Sequence, residues 1–150
     1  MRERVAQAGP ESAWRLRRFR LLASAIAGRA LDVAPALPGE APWTDGSTLF
    51  MDASPDASAA DQVAALAVQA SLIAAGSLAA EIARRLRGRP ALARRYLAIE
   101  GHRALASSED LLPRPARSLI DRDAAARAGS PAASLALALG REAIAGPPPG

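Results

Sequence analysis

Ser58-Ala59-Ala60-Asp61-Gln62-Val63-Ala64-Ala65-Leu66-Ala67-Val68-Gln69-Ala70-Ser71-Leu72-Ile73-Ala74-Ala75-Gly76 is the stretch that decides the fold. Ser58 is placed to cap a helix N-terminus, with Asp61 at the third helical position, and Gly76 supplies a stop. From Val63 to Ala80 no side chain is charged, a run that approaches the roughly 20 residues needed to cross a bilayer. Alanine dominates it, and alanine gains little on transfer to lipid compared with Leu or Ile. Gln69, Ser71, Gly76 and Ser77 lie inside it. The run therefore reads as a helix buried among other helices, where small side chains permit close approach, and not as a membrane span.

Working outward toward the C-terminus, helical segments are expected over about 78–87, 90–106, 115–127 and 131–144. Gly76, Gly88-Arg89-Pro90, Pro113–Pro115 and Gly129–Pro131 separate them. Ser130-Pro131 suits a helix start, with proline in the first turn. Toward the N-terminus, Leu16, Phe19, Leu22, Ala23 and Ile26 recur at three- and four-residue steps after Ser12, giving an amphipathic helix that stops at Gly28. Two β-like runs follow, 30–34 and 48–52, joined by a loop rich in Pro and Gly. Trp43-Thr44-Asp45-Gly46 reads as a turn in that loop, because Asp45 closes an Asx turn and Gly46 accepts positive φ.

The expected fold is mainly α: a helical, bundle-like single domain over 12–145 with a small β-hairpin at about 30–52 in its N-terminal third. A flexible arm is expected over 1–11, and residues 146–150 read as a linker-like Pro/Gly end. Arg17-Arg18-Phe19-Arg20-Leu21-Leu22 imitates a twin-arginine export signal, but its apolar core is broken early by Arg29 and Asp32, so a cytoplasmic helical domain is expected.

The composition excludes chemistry more clearly than it suggests any. Of 150 residues, 19 are basic and 15 acidic, a formal net charge of +4; every basic residue is Arg, and there is no Lys, Asn or Cys. Without Cys there is no thiol nucleophile, disulfide or Cys-ligated metal. Without Lys there is no P-loop lysine and no Schiff base. His102 is the single histidine, too few for a two-histidine zinc site. Arg in place of Lys, together with 39 alanines, fits GC-rich coding, so the high isoelectric point says little about partners. No cofactor, no metal and no enzymatic activity are expected.

The candidate residues concentrate in Arg94-Arg95-Tyr96-Leu97-Ala98-Ile99-Glu100-Gly101-His102-Arg103. Glu100 lies one turn after Tyr96 and three residues before Arg103, a spacing that suits an internal Glu–Arg bridge. His102 reads as a surface or partly buried histidine paired with a carboxylate; no G-x-S-x-G is present to place a serine beside it. Arg15–Arg20, Arg84–Arg89 and Arg94–Arg95 together could form a basic face for phosphate backbones or for an acidic protein. The five aromatic residues are scattered, so the stacking platform of a single-strand binder is thin.

Two of these stretches, Trp43-Thr44-Asp45-Gly46-Ser47-Thr48-Leu49-Phe50-Met51-Asp52 and the later Glu100-Gly101-His102-Arg103 helix, resemble the region that precedes the von Willebrand factor A (VWA) domain in NorD- and CobT-type proteins. The resemblance spans about residues 12–145. It implies a helical scaffold that contacts a MoxR-type AAA+ ATPase, or the downstream VWA domain, in metalloenzyme maturation or metal insertion. By that resemblance, Asp45 and Gly46 set a hairpin turn, Glu100 and Arg103 tie a helix to its neighbours, and Arg94, Arg95, Tyr96 and His102 are further structural or interaction candidates. The VWA metal motif D-x-S-x-S does not occur here, and Val68-Gln69-Ala70-Ser71 stands where many members carry a histidine, so no metal ligand carries over. The alternative expectation is a basic helical nucleic-acid-binding protein.

Overall fold

The computed structural model describes residues 10–144 and 146–148 of the chain. Among these, seven α-helices and a three-stranded sheet follow one another as α1 (Pro10–Ala27), β1 (Asp32–Pro35), β2 (Trp43–Thr44), β3 (Thr48–Met51), α2 (Ala59–Ala74), α3 (Ala80–Leu86), α4 (Pro90–Ser107), α5 (Arg114–Arg117), α6 (Arg122–Ala126) and α7 (Pro131–Leu139). A short 3₁₀ turn, Glu109–Leu111, lies between α4 and α5. The mainly α domain with a small sheet near its start is the architecture the sequence implies.

The helix α2 forms as its ends require. Ser58 Oγ accepts the amide of Asp61 at 3.0 Å. At the other end Gly76 has φ +70°, and the amides of Gly76 and Ser77 close back on the carbonyls of Ile73 and Leu72 at 3.2 and 3.0 Å. This is the double closure that a left-handed glycine permits. The helix packs on α1, α4, α5 and β3, and α4 packs in turn on α6 and α7, so α2 and α4 form the centre of the domain.

Alanine makes that centre tight. Ala23 of α1, Ala67 and Ala70 of α2, Ala104 of α4 and Ala116 of α5 are completely buried, alongside Leu66, Leu72 and Leu105. A second cluster, Ile82, Leu92, Tyr96, Leu135 and Ala138, joins α3, α4 and α7. Small side chains bring helix axes close, and what they lack in transfer free energy is partly recovered in dispersion contacts.

The sheet differs from the expected hairpin. The two runs read from the sequence pair in parallel, with Val33 opposite Leu49 and Ala34 opposite Phe50. The hairpin partner of β3 is instead the two-residue strand β2, antiparallel, with Trp43 opposite Phe50, and the order is β1-β3-β2. The reason is the turn. Asp45 Oδ1 accepts the amides of Ser47 and Thr48 at 2.9 and 2.8 Å, which reverses the chain directly after Thr44. Pro42 has no amide to extend β2, so one edge of β3 is covered only briefly and the other is left to β1. Trp43 and Phe50 stack across the hairpin at 4.2 Å, so these two aromatics are neighbours and not scattered.

Several boundaries also move. The helix α1 begins at Pro10, two residues before the expected cap at Ser12, because proline is preorganised for the first helical turn. The first nine residues of the expected arm lie outside the described residues, and its last two are helical. The segment read as one helix over 115–127 is two, broken at 118–121, and the helix expected over 131–144 ends at Leu139. In the Pro/Gly end, Pro148 is buried, and a Cβ built on Gly101 would lie 2.8 Å from its ring. The tail thus packs against α4, where the sequence suggests no packing residue. No helix among the described residues is long and apolar enough to cross a membrane.

Candidate functional site

Tyr96, Glu100 and Arg103 stand at i, i+4 and i+7 on α4 and so share one side of the helix. Two segments distant in sequence converge on that side. The glycine closure at Gly76 delivers Ser77 from the end of α2, and Ser130, whose hydroxyl caps α7 by accepting the amide of Ala133, sets the helix that carries Ser134. Ser77, Tyr96, Glu100 and Ser134 are fully buried.

The Glu100 carboxylate is the hub. Its Oε1 accepts Ser77 Oγ at 2.6 Å and Arg103 Nη2 at 2.5 Å. Its Oε2 accepts Ser134 Oγ at 2.6 Å and Arg103 Nε at 2.8 Å. The guanidinium is thus bound in the two-pronged geometry that gives strong charge-assisted bonds, and the roughly four acceptor positions of a carboxylate are all taken. Tyr96 Oη donates to the Ser77 carbonyl at 2.7 Å. Burial first, and the Glu100 charge second, push the Tyr96 phenol well above its ordinary range, so it remains a neutral donor. The hydrogen bonds that Arg103 donates to Glu100 raise the pKa of the guanidinium, which stays charged. A buried carboxylate is tolerated only when paired and fully hydrogen-bonded, and this one is both.

His102 points elsewhere and has a different task from the carboxylate pairing expected of it. It is only 6% exposed, and its Nδ1 accepts the amide of Asp121 at 3.0 Å. That amide is freed by the break between α5 and α6, and Asp121 then caps α6 by accepting the amide of Ala124 at 3.0 Å. An acceptor at Nδ1 requires a neutral ring, and burial holds the His102 pKa below its ordinary value, against the Asp121 charge and the carbonyls of Gly146 and Leu119.

Arg95 is not part of a basic face. Its guanidinium donates to the carbonyls of Ala138, Gly140 and Glu142 at 2.9, 3.0 and 2.8 Å, closing the C-terminal end of α7. Arg94 beside it is exposed and has no partner among the described residues. At the hairpin, Asp45 Oδ1 also accepts Ser47 Oγ at 3.0 Å, and these bonds hold its carboxyl below the usual range. Gly46 adopts φ +95°, and its carbonyl accepts from Arg29.

The structure therefore brings Tyr96, Glu100 and Arg103 together, and separates from them Asp45 and Gly46 in the hairpin, Arg95 at the end of α7, His102 at the α5–α6 break and Arg94 in solvent. Ser77 and Ser134 were missed from the sequence. Their only signal is a serine set within an Ala/Leu-rich run, beside Gly76 in one case and one turn after Ser130 in the other. Among the described residues no three His, Asp or Glu side chains gather as metal ligands would. No family model, curated protein or solved structure matches the chain.

Proposed function

We propose that this chain is a non-catalytic helical scaffold that presents its surface to protein partners. The observation that carries this reading is the complete internal use of Glu100, whose acceptor positions are filled by Ser77, Ser134 and Arg103. A general base or ligand-binding carboxylate needs a free lone pair within reach of its target. With His102 engaged by the Asp121 amide, both side chains most suited to proton transfer serve to hold helices together.

The form of scaffold that the NorD- and CobT-type resemblance implies is a domain that contacts a MoxR-type AAA+ ATPase during metalloenzyme maturation or metal insertion. Co-purification of the full chain with a co-encoded MoxR-type ATPase tests it, with a stable complex expected. Absence of association in both nucleotide states overturns that form of the reading.

A specific observation favours a second reading, nucleic-acid binding. Arg84, Arg85, Arg87, Arg89 and Arg94 are all exposed and have no ion-pair partner among the described residues. That reading requires affinity for an oligonucleotide that falls steeply as salt rises, and a filter-binding titration at two salt concentrations decides it.

A further inference from the structure

The face of α1 turned away from the core carries an apolar surface with a basic edge. Trp14 and Leu21, at i and i+7 on one side of the helix, are 59% and 77% exposed. Arg18 lies between them, its guanidinium 5.1 Å from the centre of the Trp14 ring, so the aromatic and the charge form one preorganised unit. Beside this stripe runs a groove of about 760 Å³ between α1 and the start of α2. Trp14, Phe19, Leu22, Pro55 and Val63 supply its apolar walls, and Arg15 and Arg18 are its charged lining residues. Neither arginine has an ion pair among the described residues, whereas Arg20 on the same helix is engaged by Asp32. Ala57 separates the groove from a smaller depression lined by Asp52, Asp56 and Asp61, so the positive edge lies along α1 alone.

We propose that the α1–α2 groove is a docking site for an amphipathic helix of a partner protein, one face apolar and the other acidic. A groove with apolar walls between two helices suits helix-in-groove recognition, in which side chains at i, i+3, i+4 and i+7 fill it. Arg15 and Arg18, without an ion-pair partner among the described residues, select acidic over basic helices, since a like charge placed against them is repulsive. Trp and Arg are among the residue types enriched at the energetic centres of interfaces. The proposal rests on the scaffold reading and names the chemistry of its partner.

The test uses the full chain carrying Trp43→Phe, which leaves Trp14 as the single tryptophan. The probe is a synthetic 16-residue peptide with Leu at i, i+3, i+4 and i+7 and Glu on the opposite face. Its controls are the same peptide with Lys for Glu and a single-stranded oligonucleotide. The expected result is a saturable shift of Trp14 emission with the acidic peptide alone. In Arg15→Glu/Arg18→Glu the affinity falls by about tenfold or more, and the Lys peptide gains what the Glu peptide loses. No saturable shift, equal response to both peptides, or response to the oligonucleotide alone overturns the proposal. A groove filled by the chain's own first nine residues gives the first of these results. The ATPase experiment is separate: a complex without peptide binding removes the groove and keeps the scaffold, and peptide binding without a complex keeps both and removes only the ATPase as the partner.

Discussion

Ser134 Oγ lies 2.6 Å from Glu100 Oε2, a buried hydrogen bond between side chains 34 residues apart that fixes α7 on α4. Ser77 holds the other carboxylate oxygen at the same distance from the opposite side. Helix faces built largely of alanine have little relief to define how far one slides along another. A directional polar clamp at their meeting point defines it, provided every member is satisfied. The network is thus the specific element in an otherwise smooth core.

Glu100→Gln removes the charge that Arg103 faces while keeping the volume. The Arg103 guanidinium side chain is only 16% exposed, so it loses its partner where water compensates poorly. Breaking one half of a buried pair costs about 3–5 kcal/mol. Urea unfolding of Glu100→Gln should show a loss in that range, with the helical circular-dichroism signal retained in the absence of denaturant. The double change Glu100→Gln/Arg103→Met should recover part of it, because no orphaned charge remains. A double variant as unstable as the sum of the singles contradicts the account.

The two serines act on one carboxylate, so their effects are coupled. Each hydrogen bond to a charged group contributes about 1.5–3 kcal/mol, and Ser77→Ala and Ser134→Ala should each lower stability within that range. Removing both leaves Glu100 held by Arg103 alone. The double variant should therefore lose more than the sum, with an interaction energy of about 0.5 kcal/mol or more in a double-mutant cycle. Strict additivity would mean that the two hydroxyls act independently.

Much of this was legible in the sequence, and what was not follows a pattern. Local signals were read correctly: Ser58 with Asp61, the stop at Gly76, the cap at Ser130 and the Glu100–Arg103 spacing all depend on residues within one turn of one another. The parallel pairing of β1 with β3 was hidden, because alternation marks a strand without saying which neighbour it takes, and a two-residue strand such as Trp43–Thr44 has no alternation to read. The break at 118–121 was hidden for a related reason. Its amide is satisfied by His102, 19 residues upstream, and a helix interrupted by a distant acceptor looks continuous in propensity alone. Ser77 and Ser134 gain meaning only once α2 and α7 are docked on α4.

The hairpin offers a test away from the core. Asp45 collects three hydrogen bonds through one oxygen, but at an exposed turn, where water competes for each. Asp45→Ala should therefore cost only about 1 kcal/mol. Gly46→Ala places a side chain at φ +95°, a region L-residues avoid, at a cost of about 1–2 kcal/mol even though the nearest atom, on Arg29, is 3.8 Å from the added carbon. Both variants should lower the thermal midpoint by a few degrees and shift the amide resonances of β2 and β3, leaving those of α4 and α7 in place. Shifts spreading to Glu100 would show that the sheet and the carboxylate network are coupled.

His102 sets the acid limb of stability. Burial holds its folded pKa below 6.5, whereas the unfolded chain titrates near that value, so in the window beneath 6.5 the unfolded state binds more protons. Stability is then fully present above about pH 6.5 and falls as the pH drops through the folded pKa, at no more than about 1.4 kcal/mol per pH unit for one group. Protonation also turns Nδ1 from an acceptor into a donor facing the Asp121 amide, which opens the break between α5 and α6. Asp45 and Glu109, held below 3.8 and 4.5 by their hydrogen bonds, lose their contributions only lower down, so pH 7 to 5 isolates the histidine. Urea midpoints should decline across that range in the native chain and stay level in His102→Gln, which cannot titrate. Hydrogen exchange should report the same event locally, with the amides of Asp121 and Ala124 losing protection before those of α2. A native profile as flat as that of His102→Gln would mean that the imidazole takes up its proton equally in the folded and unfolded states, contrary to its burial.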